Sequence, residues 1–467
     1  MTQFEALAAP RFAATQTFAV VTPAGMTRLP LYLVLGYVAA TFALFLIWPI
    51  NWPIYHLEQW ARLIAYVLLV LAVIGWTTFI GSAGATRVTA PLPHLRTLLV
   101  LGAIASALIL IPTSYAYTGR PPWEALDALR DQAMAYRQLI IQLYATTGQR
   151  STVVILRGVL SPLTFAVLPL GIIHWRTIGW AGRTSVLIAV LCTMVFSIMR
   201  GTDKEIADLV IGGASAVFVS FGRTRALGSR GFELVRKHWR WGLVALAFFV
   251  FAQGMFTERR TERLSHFAGR RVVCANNSHI CADLDNPWIA WLPERQKFGL
   301  TYFIMSTCSG YYGLELALEK PFDSAMGVGH SPASLTAYEA ITGDTGPHLR
   351  TYTYRNNEDQ WSEENYWSTL PTWIANDVGF PGAVLVLAGI GWLWGRWWRE
   401  AAAGMSDPAA VLFVLATTMM VYFPANNQVL ASYDGYFELS VWIVIWLWHR
   451  SRHKLSASLA VDVEAPA

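Results

Sequence analysis

The chain has 467 residues, of which 54% are hydrophobic and only 14% are Asp, Glu, Lys or Arg, and its formal net charge is +5. Soluble domains carry about 25% charged residues, and the mean hydropathy of this chain is +0.39. This composition excludes a disordered chain, a fibrous protein and an ordinary soluble enzyme, and it predicts a polytopic membrane protein. The small positive charge is not clustered, so nucleic acid is not an expected partner, whereas a lipid bilayer is.

Apolar runs of about 17 to 25 residues are the signature of helices that cross a bilayer. Ten such runs, two of them marginal, lie at 30–49, 62–80, 97–112, 151–173, 184–199, 206–222, 241–256, 373–394, 408–423 and 437–449. The marginal runs are 97–112, which is short, and 151–173, which contains Arg157. The sequence therefore predicts an all-α protein with about ten transmembrane helices.

The basic residues predict the orientation, because Lys and Arg concentrate in cytoplasmic loops. With a cytoplasmic N-terminus, the short inside loops hold 17 Lys and Arg, six of them at 223–240. The short outside loops hold only Arg120, Arg130, Arg137, Arg150, Arg200 and Lys204. Both termini are therefore expected in the cytoplasm. No cleavable signal peptide is expected, because the first apolar run is long enough to span.

Two predicted outside segments are larger than simple connectors. Residues 113–150 have apolar positions spaced as in an amphipathic helix on the membrane surface, either as a connector or as a shaper of a substrate site. Residues 257–372 are expected to form a large outside loop domain between the helices of 1–256 and those of 373–467, since structureless loops of that length are unusual. Its dense aromatic side chains suit either stacking on sugars or filling a core.

Three of the four cysteines lie in this outside segment, where an oxidising exterior permits disulfides. Cys274 and Cys281 are close enough in sequence to bridge a short loop, and we expect that pair to be bonded. Replacement of one partner by Cys308 is the alternative. No Cys and His spacing suggests zinc, so no metal site is expected.

Four cations lie where the predicted spans meet the outer face. Arg157 lies inside the fourth run, and Arg150 is seven residues earlier, on roughly the same helix face. The turn FSIMRGTDKEIADL carries Arg200 and Lys204. Because arginine and lysine bind phosphate oxygens, these four residues predict an anion site at the depth of a lipid diphosphate. The alternatives are an Arg157 side chain that reaches outward to water and a turn that is merely solvated.

Acidic residues accompany these cations and the later spans. Asp203 and Glu205 are candidates to orient Arg200 and Lys204. Asp377 lies near the outer end of the eighth run, and Glu438 lies at the outer start of the tenth. Each of these last two either marks a helix end or belongs to a functional site.

Three stretches resemble segments of a known family. They are MSTCSGYYGLELALEKPFDSAMGVGHS, YWSTLPTWIANDVGFPGAVLVL and FSIMRGTDKEIADL. All three resemble segments of O-antigen and exopolysaccharide repeat-unit polymerases of the Wzy type. The first resembles a GYYGL-like helix that leads into a GVGxS-like turn in that family. The second resembles a tryptophan-containing entry to a span, and the third is similar to an Arg-Gly turn between two spans. The resemblance covers residues 190–390 by motif and the whole chain by topology. Cys308 departs from the polar residue expected at its position.

The resemblance implies a GT-C-like glycosyltransferase of the bacterial inner (cytoplasmic) membrane, with its active face in the periplasm. It would join undecaprenyl-diphosphate-linked oligosaccharide repeat units without a metal or other cofactor, and a chain-length regulator is a further expected partner. The first outside loop, NWPIYHLEQW, agrees, because it has no paired acidic motif of the kind used by metal-dependent relatives.

Site residues follow from this reaction. The diphosphate is expected to contact Arg150, Arg157, Arg200 and Lys204. His330 is the first candidate for a general base, with Asp377 and Glu339 as alternatives, although a histidine beside glycines in a loop can also be purely structural. The glycan is expected to contact Tyr311, Tyr312, Trp361, Asn365 and Trp367.

Two other functions fit the same sequence. An O-antigen ligase, or another glycosyltransferase with a lipid-linked donor, would use the same donor and a different acceptor. A repeat-unit flippase or other transporter would show related halves or broken, polar spans at mid-depth. No internal repeat is visible in the sequence, which favours the polymerase.

Overall fold

A computed structural model describes residues 20–21, 28–89, 91–145, 147–226, 272–274, 280–363 and 365–463. The predicted span at 241–256 and most of the basic loop at 223–240 lie outside these residues. The described chain is an all-α polytopic membrane protein. Its helices are α1 (Leu29–Ile47), α2 (Leu57–Ser82), α3 (Leu95–Thr118), α4 (Ala125–Arg130), α5 (Gln132–Ala145), α6 (Thr147–Ile173), α7 (Gly179–Arg200), α8 (Lys204–Ala226), α9 (Glu294–Glu319), α10 (Pro332–Thr342), α11 (Gly346–Arg350), α12 (Tyr352–Arg355), α13 (Leu370–Ala402), α14 (Asp407–Val421) and α15 (Tyr433–Val463).

Seven helices in the described ranges are long and apolar enough to cross a membrane, namely α1, α2, α3, α6, α7, α8 and α13. Each overlaps a predicted run, because only a helix pairs all its backbone groups within one apolar segment. Helix α14 corresponds to the predicted run 408–423. It has 15 residues, so it extends about 22 Å at 1.5 Å per residue. It is buried from Asp407 to Met420, as expected for a helix that is apolar on all sides. The total of ten spans stays a prediction.

The helices share one hydrophobic core around α13 and α14. Helix α13 packs along α2, where the Thr78 hydroxyl donates to the Gly391 carbonyl at 3.1 Å. The Trp394 indole N–H of α13 donates to Thr417 of α14 at 3.0 Å. The Trp442 indole of α15 donates to the Pro162 carbonyl of α6 at 2.9 Å.

The predicted outside segment 257–372 does not stand apart from the spanning helices in its described part. Its longest helix, α9, packs on α1, and the Tyr311 hydroxyl lies 3.1 Å from the Thr41 hydroxyl in the middle of α1. Ile304, Tyr311 and Leu314 belong to the same core as Phe42. The polar residues at the end of α9 hide this packing in the sequence, because they interrupt an otherwise apolar run.

Five short strands complete the fold. Strand β1 (Val20–Val21) pairs with β3 (Thr86–Arg87), and β2 (Ile50–Asn51) pairs with β5 (Cys281–Asp283), which also pairs with β4 (Val272–Cys274). A disulfide joins Cys274 to Cys281 across the β4–β5 hairpin. Cys308 is not its partner, since it is buried and its thiol donates to the Thr41 carbonyl at 3.2 Å.

Candidate functional site

A break in α13 creates the site. At Gly379 the backbone leaves the helical region with φ 68° and ψ 170°, a conformation that glycine adopts without the strain of a Cβ. A broken helix frees carbonyl groups that must find other donors inside a membrane protein. The preceding loop supplies them, because the Ala325 N–H donates to the Asn376 carbonyl at 2.9 Å and the Ser324 hydroxyl donates to the Asp377 carbonyl at 3.2 Å.

Asp377 and His330 form a pair at this break. The carboxylate of Asp377 accepts the backbone N–H groups of Gly329 and His330, each at 2.8 Å, and lies 2.9 Å from His330 Nδ1. Asn376 and Asn427 fix the same turn by donating to the carbonyls of Gly329 at 2.8 Å and His330 at 2.6 Å. The Asp377 side chain is 8% exposed and that of His330 is 27% exposed, so the ring has access to solvent while its partner does not.

The hydrogen bonds assign the protons of this pair. Because a carboxylate only accepts hydrogen bonds, His330 Nδ1 carries the hydrogen that faces Asp377. In the neutral ring His330 Nε2 is then an acceptor, and the Tyr436 hydroxyl, 3.0 Å away, is the group placed to donate to it. A histidine oriented through Nδ1 by a carboxylate is suited to general-base chemistry once Nε2 exchanges its hydrogen bond with Tyr436 for one with a substrate hydroxyl. The sequence offered Asp377 and His330 as alternatives, and the structure brings them together.

Three of the four predicted cations meet in a second cluster. The guanidinium carbon of Arg157 lies 5.6 Å from the Tyr117 ring centre and 4.9 Å from that of Phe196. The guanidinium carbon of Arg200 lies 5.2 Å from each of the same two rings. The two arginines are therefore neighbours, and Lys204 begins the next helix. The side chain of Arg150 lies outside the described part of the chain.

Each of these cations has a carboxylate partner. Arg157 pairs with Asp434, Arg200 pairs with Glu205, and Lys204 Nζ lies 3.6 Å from Asp208. Glu205 thus orients Arg200, as the sequence suggested. An anion at this cluster would have to compete with the carboxylates already present, because the cations are not vacant.

The two groups are joined by the first turn of α15. Asp434 pairs with Arg157, and two residues later Tyr436 donates to His330. The Ser161 hydroxyl of α6 also donates to the Asp434 carbonyl at 2.7 Å. The sequence missed Tyr436, because no local pattern connects it to a histidine more than a hundred positions earlier.

Glu339, the other candidate base, belongs to a separate cluster. Its carboxylate lies 2.9 Å from His348 Nδ1, and Glu363 lies 2.5 Å from His348 Nε2. The hydrogen bond that His348 donates to Glu363 is the main cause that raises the pKa of His348 to about 9. Because Glu339 is engaged with this imidazolium, we assign no base role to it.

The predicted glycan contacts differ in exposure. Tyr311 is fully buried, Trp361 is 2% exposed and Tyr312 is 6% exposed. Trp361 stacks on Tyr366 with ring centres 4.2 Å apart. These aromatic faces fill a core, so they are not available to stack on a sugar. Of the predicted set, Asn365 and Trp367 remain exposed.

No protein-family model, curated protein or solved structure matches the chain. The features of the chain that bear on its function are therefore the His330–Asp377 pair, the Arg157–Arg200–Lys204 cluster and the helix that joins them.

Proposed function

We propose that the chain is a membrane glycosyltransferase that polymerises lipid-diphosphate-linked oligosaccharide repeat units of O-antigen or exopolysaccharide. The observation that carries this proposal is the first turn of α15, which contacts Arg157 through Asp434 and His330 through Tyr436. A cation cluster for a leaving diphosphate and a base for an attacking hydroxyl are the two parts that this reaction needs. They lie at one end of the helical bundle.

The base acts on the acceptor. A sugar hydroxyl of a new repeat unit forms a bond to the anomeric carbon of the lipid-linked polymer, and its proton passes to His330 Nε2. Tyr436 now occupies that nitrogen and would give way to the acceptor hydroxyl. Asp377 holds the ring and stabilises the imidazolium that forms. A positioned base of this kind contributes about 10²–10⁴-fold to the rate.

The cations act on the leaving group. As the bond from the anomeric carbon to the diphosphate oxygen breaks, the electron pair and the negative charge move onto the diphosphate. Arg157, Arg200 and Lys204 stabilise that charge more in the transition state than in the ground state. Asp434, Glu205 and Asp208 keep the three cations oriented before the diphosphate exchanges with them. The reaction as written requires no metal or cofactor.

The same proposal places the protein in the bacterial inner membrane with this end of the bundle in the periplasm and both termini in the cytoplasm. The support is the concentration of Lys and Arg in the loops at the other end. A chain-length regulator is the proposed protein partner.

Purified protein in lipid nanodiscs with undecaprenyl-diphosphate-linked repeat units tests the reaction. We expect His330→Ala and Arg200→Ala each to lower the rate of polymer formation by about 100-fold or more. Arg130→Ala is the matched control, since Arg130 is an exposed cation whose side chain is 83% accessible. Polymer of normal length and rate from both site variants would refute the assignment. Transfer to an acceptor other than a repeat unit would indicate the ligase alternative instead.

A transporter of lipid-linked oligosaccharide is the second candidate, and the break in α13 favours it. Transporters often place substrate at a broken helix, where free backbone groups and a polar side chain meet. Asp377 beside Gly379 has this arrangement. A fluorescent lipid-linked oligosaccharide in proteoliposomes separates the two functions. Movement across the bilayer with no new glycosidic bond would support transport and exclude the polymerase.

A further inference from the structure

Helix α5 lies across the ends of two spanning helices. At Gly201, directly after α7, an added Cβ would lie 2.8 Å from the Gln132 carbonyl oxygen and 2.9 Å from the Tyr136 nitrogen. At Gly119, directly after α3, it would lie 2.7 Å from the Gln142 side chain. Gln132 and Gln142 are ten residues apart, which is about 15 Å along a helix. The axis of α5 therefore runs from one helix end to the other rather than alongside them.

One face of α5 packs on the protein. Gln132, Ala135 and Leu139 are each 2% exposed, and their spacing of three and four residues places them on one side of the helix. Ala135 forms a small cluster with Ala128 of α4 and Met199 of α7. This packing seats α4 and α5 on the turn that carries Arg200.

A second face of this unit exposes large apolar side chains, with Arg137 among them. Trp123 is 69% exposed, Leu126 is 70% exposed, Met134 is 45% exposed and Ile141 is 62% exposed. Exposed side chains of this size are unfavourable in water, and a contiguous group of them marks an interaction surface. Between the two faces, Gln138 forms part of a polar edge.

The neighbouring helices identify what covers this surface. The adjacent spanning helices α3 and α7 also expose large apolar side chains, which include Ile111 at 44%, Tyr115 at 47% and Leu191 at 61%. Side chains of that kind on a spanning helix face lipid. Helices α4 and α5 both pack on α7, and α5 also packs on α3, so their exposed side chains lie beside that surface. Arg130, which is exposed, can extend its charged end from this edge to lipid phosphates.

We infer that residues 123–142 form a membrane-lying shelf whose exposed apolar side contacts the acyl chains of the bilayer. Because the shelf rests on Gly201, it fixes the adjacent Arg200 at the depth of the lipid head groups. This inference concerns lipid contact alone and does not depend on the proposed reaction.

Spin labels in lipid nanodiscs test the shelf. Single cysteines at Leu126→Cys, Ile141→Cys and Gln138→Cys are labelled in a background of Cys192→Ala and Cys308→Ala, which leaves the Cys274–Cys281 disulfide in place. The three positions are exposed or half-buried, so the labels should not disturb packing. Collision rates with oxygen, which enters lipid, are compared with those of a water-soluble nickel chelate.

We expect oxygen to dominate at positions 126 and 141, and the nickel chelate to dominate at the matched control, position 138. Dominance of the nickel chelate at all three positions would overturn the inference, because the face would then be in water. Immobile labels at 126 and 141 that neither reagent reaches would also overturn it, since a protein partner would then cover the face. Activity is not measured, so failure here leaves the proposed function standing.

Discussion

The two ends of the helical bundle both hold charged groups, but these groups differ in how exposed they are. At the end opposite the candidate site, Asp407 is fully buried and meets three donors, with His174 at 2.7 Å, Arg223 at 3.0 Å and the Leu92 N–H at 3.0 Å. Arg223 also donates to the Ala401 carbonyl at 2.9 Å. A buried network in which these groups are hydrogen-bonded to one another holds the helices together and has few hydrogen-bonding groups available to a ligand.

The charged pairs at the site end are more exposed than Asp407. The side chains of Arg157 and Asp434 are 22% and 21% exposed, and those of Lys204 and Asp208 are 39% and 32% exposed. Arg200 Nε is buried without a hydrogen-bond partner among the described residues, as is Arg399 Nε at the opposite end. Buried polar atoms without partners are rare in folded proteins. The two ends therefore differ in exposure, since Asp407 is fully buried and the Arg157–Asp434 and Lys204–Asp208 pairs are partly accessible to solvent.

The largest expected effect on stability is at the opposite end. Asp407→Ala would leave Arg223 buried without its carboxylate, which costs about 3–5 kcal/mol in comparable buried pairs. We expect a correspondingly large loss in the free energy of unfolding, measured by denaturant titration in detergent. Asp208→Ala at the site end is the control and should lose much less. An equal or smaller loss for Asp407→Ala would contradict the comparison.

The Arg157–Asp434 pair should have a moderate effect on stability and a large one on function. Loss of this hydrogen-bonded charge pair in Arg157→Ala is expected to cost about 1.5–3 kcal/mol, with the lower figure favoured by its partial exposure. The double variant Arg157→Asp with Asp434→Arg exchanges the two charges. It should recover the stability lost in Arg157→Ala but not polymer formation. Recovery of both would show that the pair is only structural.

The break in α13 should have a smaller effect. Gly379→Ala places a Cβ on a residue with φ 68° and ψ 170°, a backbone region that is essentially restricted to glycine and that costs other residues about 1–3 kcal/mol. We expect that loss in unfolding experiments, together with a drop in activity as Asp377 shifts. Gly389→Ala is the matched control in the same helix, because no atom lies within 4 Å of the added Cβ. A similar loss in both variants would mean that the break has no special role.

The His348 cluster should give the smallest effect, and it depends on pH. The pKa of His348 is raised from 6.5 to about 9. The protonated ring therefore contributes stability that is fully present below about pH 6.5 and is lost as the pH rises through about 9. Since the ring is 31% exposed, solvent screening should hold the contribution below about 1 kcal/mol. His348→Gln should flatten stability across this interval. An unchanged pH profile in that variant would contradict the assignment.

The sequence predicted the spanning helices well, because apolar runs are visible without knowledge of contacts. It also indicated the Arg200–Glu205 pair, whose members share one turn. It could not indicate the pairing of Arg157 with Asp434, which are 277 positions apart, because nothing local connects them. Aromatic residues were ambiguous for another reason. Tyr311 and Trp361 have the same chemistry in a core as on a sugar-binding surface, and only their burial distinguishes the two.

The packing of α9 on α1 was hidden by charge. Glu315 is fully buried, but it meets Arg62 of α2 at 3.2 Å. Its neighbour Glu319 meets the same guanidinium at 2.7 Å. The two carboxylates, Glu315 and Glu319, make this run look solvent-exposed in the sequence. Only the structure shows that Arg62, which is far away in sequence, pairs with both.

The pairing of β2 with β5 has a consequence for biosynthesis. Strand β2 follows α1 at once, but β5 lies more than two hundred residues later in the chain. A ribosome adds about 5–20 residues per second. Strand β2, which connects α1 and α2, is therefore synthesised many seconds before β5, the strand with which it pairs. Thr41 of α1 also waits for Tyr311. The hairpin of α1 and α2 therefore acquires these contacts only after residues 281–311 have been synthesised.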